Sequence, residues 1–349
     1  MPTADEIQND RRLDPRVKRM LKALPPRPEA DALSREQMIA AANTPAALAA
    51  REVISVAMEK NDTEELAPSA GLTWETLEFS SQPDANTVKL NFIRPATDDT
   101  VPCVVYLHGG GMMTGSAFDG NYRAFGKLVA AHGVAVAMID FRNSLVPSSG
   151  GEIAAYPGGL NDCVSAVHWA ASEADALGID ATRIVVAGES GGGNLTLATG
   201  LKLLKDGDVD LISGIYALCP CLAGLWPQES LPSSAENDGI FVNLGSNRTR
   251  LAYGIEAFEA RDPLAWPLFA TEDDLVGLPP VMISVNEADP LRDEGIEFYR
   301  MLLAAGQPAR CRQVMGTMHG TEIMPMICPD ISRDTARDLA GFTLDSGAD

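Results

Sequence analysis

Two kinds of hydrophobic pattern divide this chain. Apolar and polar residues alternate over Leu77-Glu78-Phe79 and again over Val88-Lys89-Leu90-Asn91-Phe92. That two-residue period belongs to half-buried strands, and the two runs predict an antiparallel pair leading into a sheet. Further on, short continuous apolar runs recur at residues 104–107, 134–139, 184–187, 214–218, 281–285 and 310–314, with helical patterns between most of them. Such runs read as strands buried on both faces, and their alternation with helices predicts a largely parallel sheet covered by helices.

The chain before Thr73 is helical and irregular. Asp14-Pro15 supplies a cap and a first-turn proline ahead of Val17, Met20, Leu21 and Leu24, and Pro25-Pro26-Arg27-Pro28 ends that helix. Ser34-Arg35-Glu36-Gln37 reads as a capping box, and Thr44-Pro45 opens a helix that runs to about Lys60. Between residues 222 and 267 a stretch rich in Pro, Trp, Asn and Gly interrupts the strand–helix alternation and predicts an inserted lobe.

A chain of 349 residues, 46% of them hydrophobic, can bury a large core, and its length allows one domain with an added lobe. The net charge of −21 argues against nucleic acid and against anionic membrane surfaces as partners, and against a strongly anionic substrate. No run is long and apolar enough to span a bilayer, and Met1-Pro2-Thr3-Ala4-Asp5-Glu6 lacks the charged-then-apolar pattern of a signal segment, so the expectation is a cytoplasmic protein. The six cysteines, Cys103, Cys163, Cys219, Cys221, Cys311 and Cys328, show no metal-ligand spacing. Cys219-Pro220-Cys221 is too tight for an easy disulfide; free thiols and no metal or cofactor are expected.

Chemistry enters at Gly188-Glu189-Ser190-Gly191-Gly192, which follows the apolar run 183–187 and precedes a helical pattern beginning at Asn194. Chance alone would supply about 0.15 such matches in this composition, so the flanking strand and helix decide the reading. A serine on a sharp strand-to-helix turn is a nucleophile elbow. A second motif, His108-Gly109-Gly110-Gly111, follows the run 104–107 and has only about 0.003 chance occurrences. Backbone N–H groups of Gly110 and Gly111, with that of Gly191, are assigned to an oxyanion hole.

Serine needs a base, and the chain has four histidines. His108 braces the glycine loop, His132 ends a helical stretch, and His168 lies within one. His319, in the loop after the last core run, is left as the base. For the acid, the loop after 281–285 offers Glu287, Asp289 and Asp293. Asp289 is favoured because Pro290 ends the strand behind it, with Glu287 as the fallback; Asp293 and Glu294 read as acids complementing the dipole of the next helix. The order Ser, Asp, His is that of the α/β-hydrolase arrangement.

These residues resemble the hormone-sensitive-lipase-like esterases of the α/β-hydrolase superfamily. The match rests on HGGG at 108–111, Asp140-Phe141-Arg142-Asn143, GESGGGN at 188–194, Asn286-Glu287 with the run 289–295, and His319-Gly320. Glu189 stands where most of the family has aspartate and Gly191 where it has alanine, both looking like the brefeldin-esterase branch, and the usual DYRLAPE stretch is altered after Asp140. The resemblance implies Ser190, Asp289 and His319 as the triad. It also implies that residues 1–72 and 222–267 form a helical cap over a catalytic core made of 73–221 and 268–349.

The expected reaction is hydrolysis of short- to medium-chain carboxylic esters, a small-molecule substrate, through an acyl-enzyme. A binding protein on a hydrolase fold, and an amidase or lactonase on the same triad, are the competing readings, and a homodimer is left open. The cap implies an apolar site. Met112, Met113, Phe118, Trp226, Phe241 and Trp266 are its candidate walls, though ordinary packing explains each equally well.

Overall fold

The computed structural model describes residues 2–23 and 29–347. Leu24 and the expected helix break at Pro25-Pro26-Arg27-Pro28 lie outside the described residues. One eight-stranded sheet organises the chain: β1 Leu72–Ser80, β2 Thr87–Pro95, β3 Val101–Leu107, β4 Ala135–Asp140, β5 Ile179–Glu189, β6 Gly214–Leu218, β7 Val281–Asn286 and β8 Ala309–Val314. The spatial order is β1-β2-β4-β3-β5-β6-β7-β8. Only β2 runs antiparallel to its neighbours, pairing Leu77 with Leu90 on one side and Leu90 with Ile139 on the other. The remaining neighbours are parallel.

The helices are α1 Ala4–Asn9, α2 Pro15–Ala23, α3 Arg35–Ala42, α4 Pro45–Met58, α5 Gly120–Ala130, α6 Gly158–Ser172 and α7 Ala174–Leu177, then α8 Gly191–Asp206. They continue with α9 Ser233–Glu236, α10 Arg248–Tyr253, α11 Ile255–Glu259, α12 Glu272–Leu275, α13 Arg292–Ala304 and α14 Pro329–Asp345. Every residue of β3 is buried, and its side chains alternate between two cores. Val105 and Leu107 join Leu160, Leu195 and Ala198 on one face of the sheet. Val104 and Tyr106 join Phe125 and Leu339 on the other. Each such aliphatic side chain contributes about 1.5–3 kcal/mol when fully buried, so the unbroken apolar runs in the sequence are the runs covered on both faces. At the sheet edge β1 is largely exposed, as its alternation requires.

Both cap segments are pinned to each other and to the core. Met38 of α3 and Ala252 of α10 share a small apolar cluster with Leu145. The Asn247 side chain accepts the Ala32 N–H at 2.8 Å and donates to the Ala32 carbonyl at 2.9 Å. The capping box at Ser34 is only half formed. Ser34 Oγ accepts the Gln37 N–H, but the Gln37 amide oxygen accepts from Leu33 rather than from the cap residue. Helix α4 has no buried residue, although Leu48, Val53, Ile54 and Val56 are all apolar and all exposed. Among the described residues, no helix is long and apolar enough to cross a membrane. All six cysteines are free.

Candidate active site

Four loops leave the carboxyl ends of parallel strands β3, β5, β7 and β8 at one edge of the sheet, where open α/β sheets place their ligands. Ser190 follows β5 directly, at φ 58° and ψ −118°. Such a conformation costs a non-glycine residue about 1–3 kcal/mol and persists because the surroundings over-determine it. Here the Ser190 N–H donates to the Leu218 carbonyl at 2.9 Å, and the Ser190 carbonyl accepts from Asn194 and Cys221. Helix α8 starts at Gly191, three residues earlier than the apolar pattern suggested. Its first turn packs so tightly on β3 that a Cβ on Gly192 would sit 2.0 Å from the Leu107 carbonyl oxygen.

Ser190, His319 and Asp289, far apart in sequence, meet in a line. The Ser190 hydroxyl lies 2.9 Å from His319 Nε2, and His319 Nδ1 lies 2.8 Å from Asp289 Oδ2. The carboxylate fixes the proton on Nδ1, leaving Nε2 free to accept from the serine. Asp289 is fully buried, and its other oxygen accepts the Leu291 N–H. Burial alone would lower the His319 pKa, but Asp289, then Glu189 and Glu322, overcome it and raise the ring to about 9. Glu287, the fallback acid, does not reach the histidine; it accepts the Gly316 N–H at 2.8 Å and braces the loop that carries His319. The two loops are stitched further by Ala288 N–H to the Thr317 carbonyl at 2.9 Å.

The glycine loop faces the elbow. A Cβ on Gly191 would lie 2.5 Å from the Met112 nitrogen and 2.7 Å from the Gly111 nitrogen, so the loop N–H groups approach the start of α8 closely. Among the described residues, the Gly110 and Gly111 N–H groups have no protein acceptor, as donors reserved for a ligand oxygen should. His108 is buried and stacked on Phe141 at 4.1 Å, with Nδ1 donating to the Gly109 carbonyl. Burial lowers its pKa and keeps it neutral, a brace rather than a base. His132, in the turn after α5, and His168, on α6, are both exposed.

The altered stretch after β4 proves to be the clamp on this loop. Asp140 accepts from Ser116 Oγ, Ala117 N–H and Ser149 N–H as well as the Ser149 hydroxyl. Asn143 donates to the Gly115 carbonyl, and the Met112 carbonyl accepts from Ser144. Arg142 pairs with buried Asp162.

A cavity of about 880 Å³ opens over Ser190 and His319 and is walled by Gly110, Gly111, Met113, Phe241, Val242 and Leu244, with Val53 and Ile54 from α4. Of the six candidate wall residues, Met113 and Phe241 line it. Met112, Trp226 and Trp266 are packed in the core instead, and Phe118 is half-buried outside the cavity.

Several groups escaped sequence reasoning. Glu294 is in the first turn of α13, but it does more than complement the dipole. It is buried, accepting Leu222 N–H at 2.6 Å and Trp226 Nε1–H at 2.7 Å, and so anchors the inserted lobe. Burial raises its pKa to about 8. Asp293 likewise accepts from Ser233 in the insertion. Tyr122 carried no motif, yet its hydroxyl links Gly109 to Glu189. Glu189, Cys219 and His319 hold ligating atoms within 4.8 Å of one another. Each is already engaged, by Tyr122, by Glu322 and by Ser190 with Asp289 respectively, so we assign no metal to them.

A family model described as the α/β-hydrolase fold matches residues 104–323. Carboxylesterase NlhH of Mycobacterium tuberculosis is 32% identical over 252 residues, covering 71% of this chain and 75% of its own. The structure of esterase Est22 superposes with a TM-score of 0.96 at 58% identity, covering 98% of this chain and 99% of that one. Brefeldin A esterase, a bacterial homologue of human hormone-sensitive lipase, gives 0.85 at 33%, covering 99% and 98%. These values overturn the expectation of a nearest likeness to brefeldin A esterase, because Est22 is much nearer. Glu189 and Gly191 sample only the elbow, whereas whole-chain identity also weighs the cap and the two cores.

Proposed function

The chain belongs to the α/β-hydrolase fold family, and on that premise we propose that it is a carboxylic ester hydrolase of the serine type whose triad is Ser190, His319 and Asp289. The observation that carries this reading is the unbroken line of hydrogen bonds from Ser190 through His319 to Asp289 beside a closely packed glycine loop. His319 Nε2 takes the serine proton as Oγ attacks the ester carbonyl. The oxyanion is received by the N–H groups of Gly110, Gly111 and Gly191, and the imidazolium returns the proton to the departing alcohol. Water, deprotonated by the same nitrogen, then cleaves the acyl-enzyme and regenerates Ser190.

The apolar walls and the acidic surface favour an uncharged ester of short to medium chain length. Six free cysteines favour a reducing, cytoplasmic setting, and a homodimer is the assembly to test. The intact relay supports turnover over ligand binding alone. A panel of p-nitrophenyl esters of increasing acyl length tests the reading together with a phosphonate that labels activated serines. Ser190→Ala is expected to abolish both turnover and labelling while leaving the fold intact; retained turnover would refute the assignment.

A further inference from the structure

We infer that Glu189 is a positioning residue acting on both sides of the reacting carbonyl: through Tyr122 it sets the loop bearing the oxyanion donors, and as an anion beside His319 it steadies the imidazolium formed during acyl transfer. The inference rests on the serine-hydrolase reading above.

Glu189 is the residue immediately before the nucleophile and is only 5% exposed. Its Oε2 accepts the Tyr122 hydroxyl at 2.9 Å, and the same phenol oxygen accepts the Gly109 N–H at 2.8 Å. Gly109 leads directly into Gly110 and Gly111. The carboxylate therefore holds a phenol that holds the first peptide of the donor loop. Its other oxygen, Oε1, lies 3.9 Å from His319 Nε2, the nitrogen that faces Ser190. Asp289 engages the opposite nitrogen at 2.8 Å.

This placement makes the two acids unequal in what they do. Asp289 bonds a proton that Nδ1 carries throughout the cycle. Glu189 faces a nitrogen that bears a proton only after serine has been deprotonated, so its attraction grows as charge develops. The other groups facing this cluster are Glu322 after β8, Cys219 after β6, Tyr106 on β3 and Tyr122 on α5. Glu322 is occupied by Asn286 and Cys219 and makes no bond to the ring. Burial lifts the Glu189 carboxyl to about 7, against the pull of His319, while His319 itself stands near 9. The charged ring thus favours the ionised carboxylate beside it, and the carboxylate favours the charged ring.

The test compares pH profiles of kcat and kcat/KM on p-nitrophenyl butyrate for wild type, Glu189→Gln and Tyr122→Phe. Glutamine keeps an acceptor for Tyr122 but removes the charge. The acid limb is expected to move down by about one pH unit or more, with the plateau kcat reduced about tenfold or more. Phenylalanine removes the relay but keeps the charge, so the limb stays in place while kcat falls about tenfold and KM holds, because the displaced donors serve the transition state. An unmoved limb in Glu189→Gln, or an unchanged kcat in Tyr122→Phe, overturns the inference. If Glu189→Gln does not fold, NMR titration of His319 in the wild-type protein decides instead: a pKa at or below its ordinary value of about 6.5 refutes the electrostatic role. Wild-type protein that neither turns over ester nor takes the phosphonate label would overturn the parent reading as well. Turnover and labelling with an unmoved limb would overturn this inference alone.

Discussion

Gly191→Ala is the most informative single-atom perturbation of this site. The added methyl would sit 2.5 Å from the Met112 nitrogen, 2.7 Å from the Gly111 nitrogen and 2.8 Å from Gly111 Cα. All three are backbone atoms, so no rotamer can clear the way. Reaching ordinary contact at 3.4 Å needs a retreat of about 0.9 Å by a loop that Asp140, Asn143 and Tyr122 hold in place. A displacement of about 1 Å costs roughly 10²-fold in rate, the scale also lost with one oxyanion donor. The strain of overpacking, about 1–3 kcal/mol, is tolerable for a protein with two large cores. Steady-state kinetics on p-nitrophenyl butyrate should show kcat down about 10²-fold with KM within about threefold, since the lost interaction belongs to the transition state. A thermal melt should remain cooperative. A variant with kcat within threefold of wild type would refute the assignment of Gly111 and Gly191 to the oxyanion hole.

Three further outcomes follow from the geometry. Activity should rise with pH into the alkaline range, because His319, raised to about 9, must be neutral to act as base; a profile flat from pH 6 upward contradicts this. Its contribution to stability has the opposite sign. The folded pKa lies above the unfolded value, so the stabilisation is complete below about pH 6.5 and is lost as pH rises through about 9, measurable as a falling denaturation midpoint. Glu294→Gln should destabilise the fold by about 1–3 kcal/mol in chemical denaturation, because an amide has one acceptor where Leu222 N–H and Trp226 Nε1–H need two; unchanged stability would refute its role as anchor of the insertion.

What the sequence disclosed and what it withheld divide along the range of the interactions involved. Strand cores such as Val104-Val105-Tyr106-Leu107 were legible because burial on both faces leaves an unbroken apolar run. Ser190 was legible because a strained elbow needs glycines around it, and His319 because only four histidines compete. The contacts that hold the site in shape were not legible. Tyr122 and Glu189 are 67 residues apart, and neither local pattern refers to the other. Glu294 reads locally as a first-turn acid complementing the helix dipole, and only the folded insertion supplies its two donors. Gln37 had the spacing of a capping box, but its amide oxygen takes the N–H of Leu33 instead. Asp140 and Asn143 stood in a recognisable motif, yet their purpose, restraining the glycine loop, is visible only when residues 112–117 are brought beside them.

Helix α4 walls the cavity over Ser190 through Val53 and Ile54 while burying none of its fourteen residues. Its two wall residues therefore add little to the packed core, unlike Leu244, which lines the same cavity from within it. Val53 and Ile54 can be exchanged with little thermodynamic penalty to the sheet beneath, since surface changes away from packed or bonded groups usually shift stability by less than about 0.5 kcal/mol. The same arrangement makes α4 the natural place to graft a new specificity onto an unchanged catalytic edge.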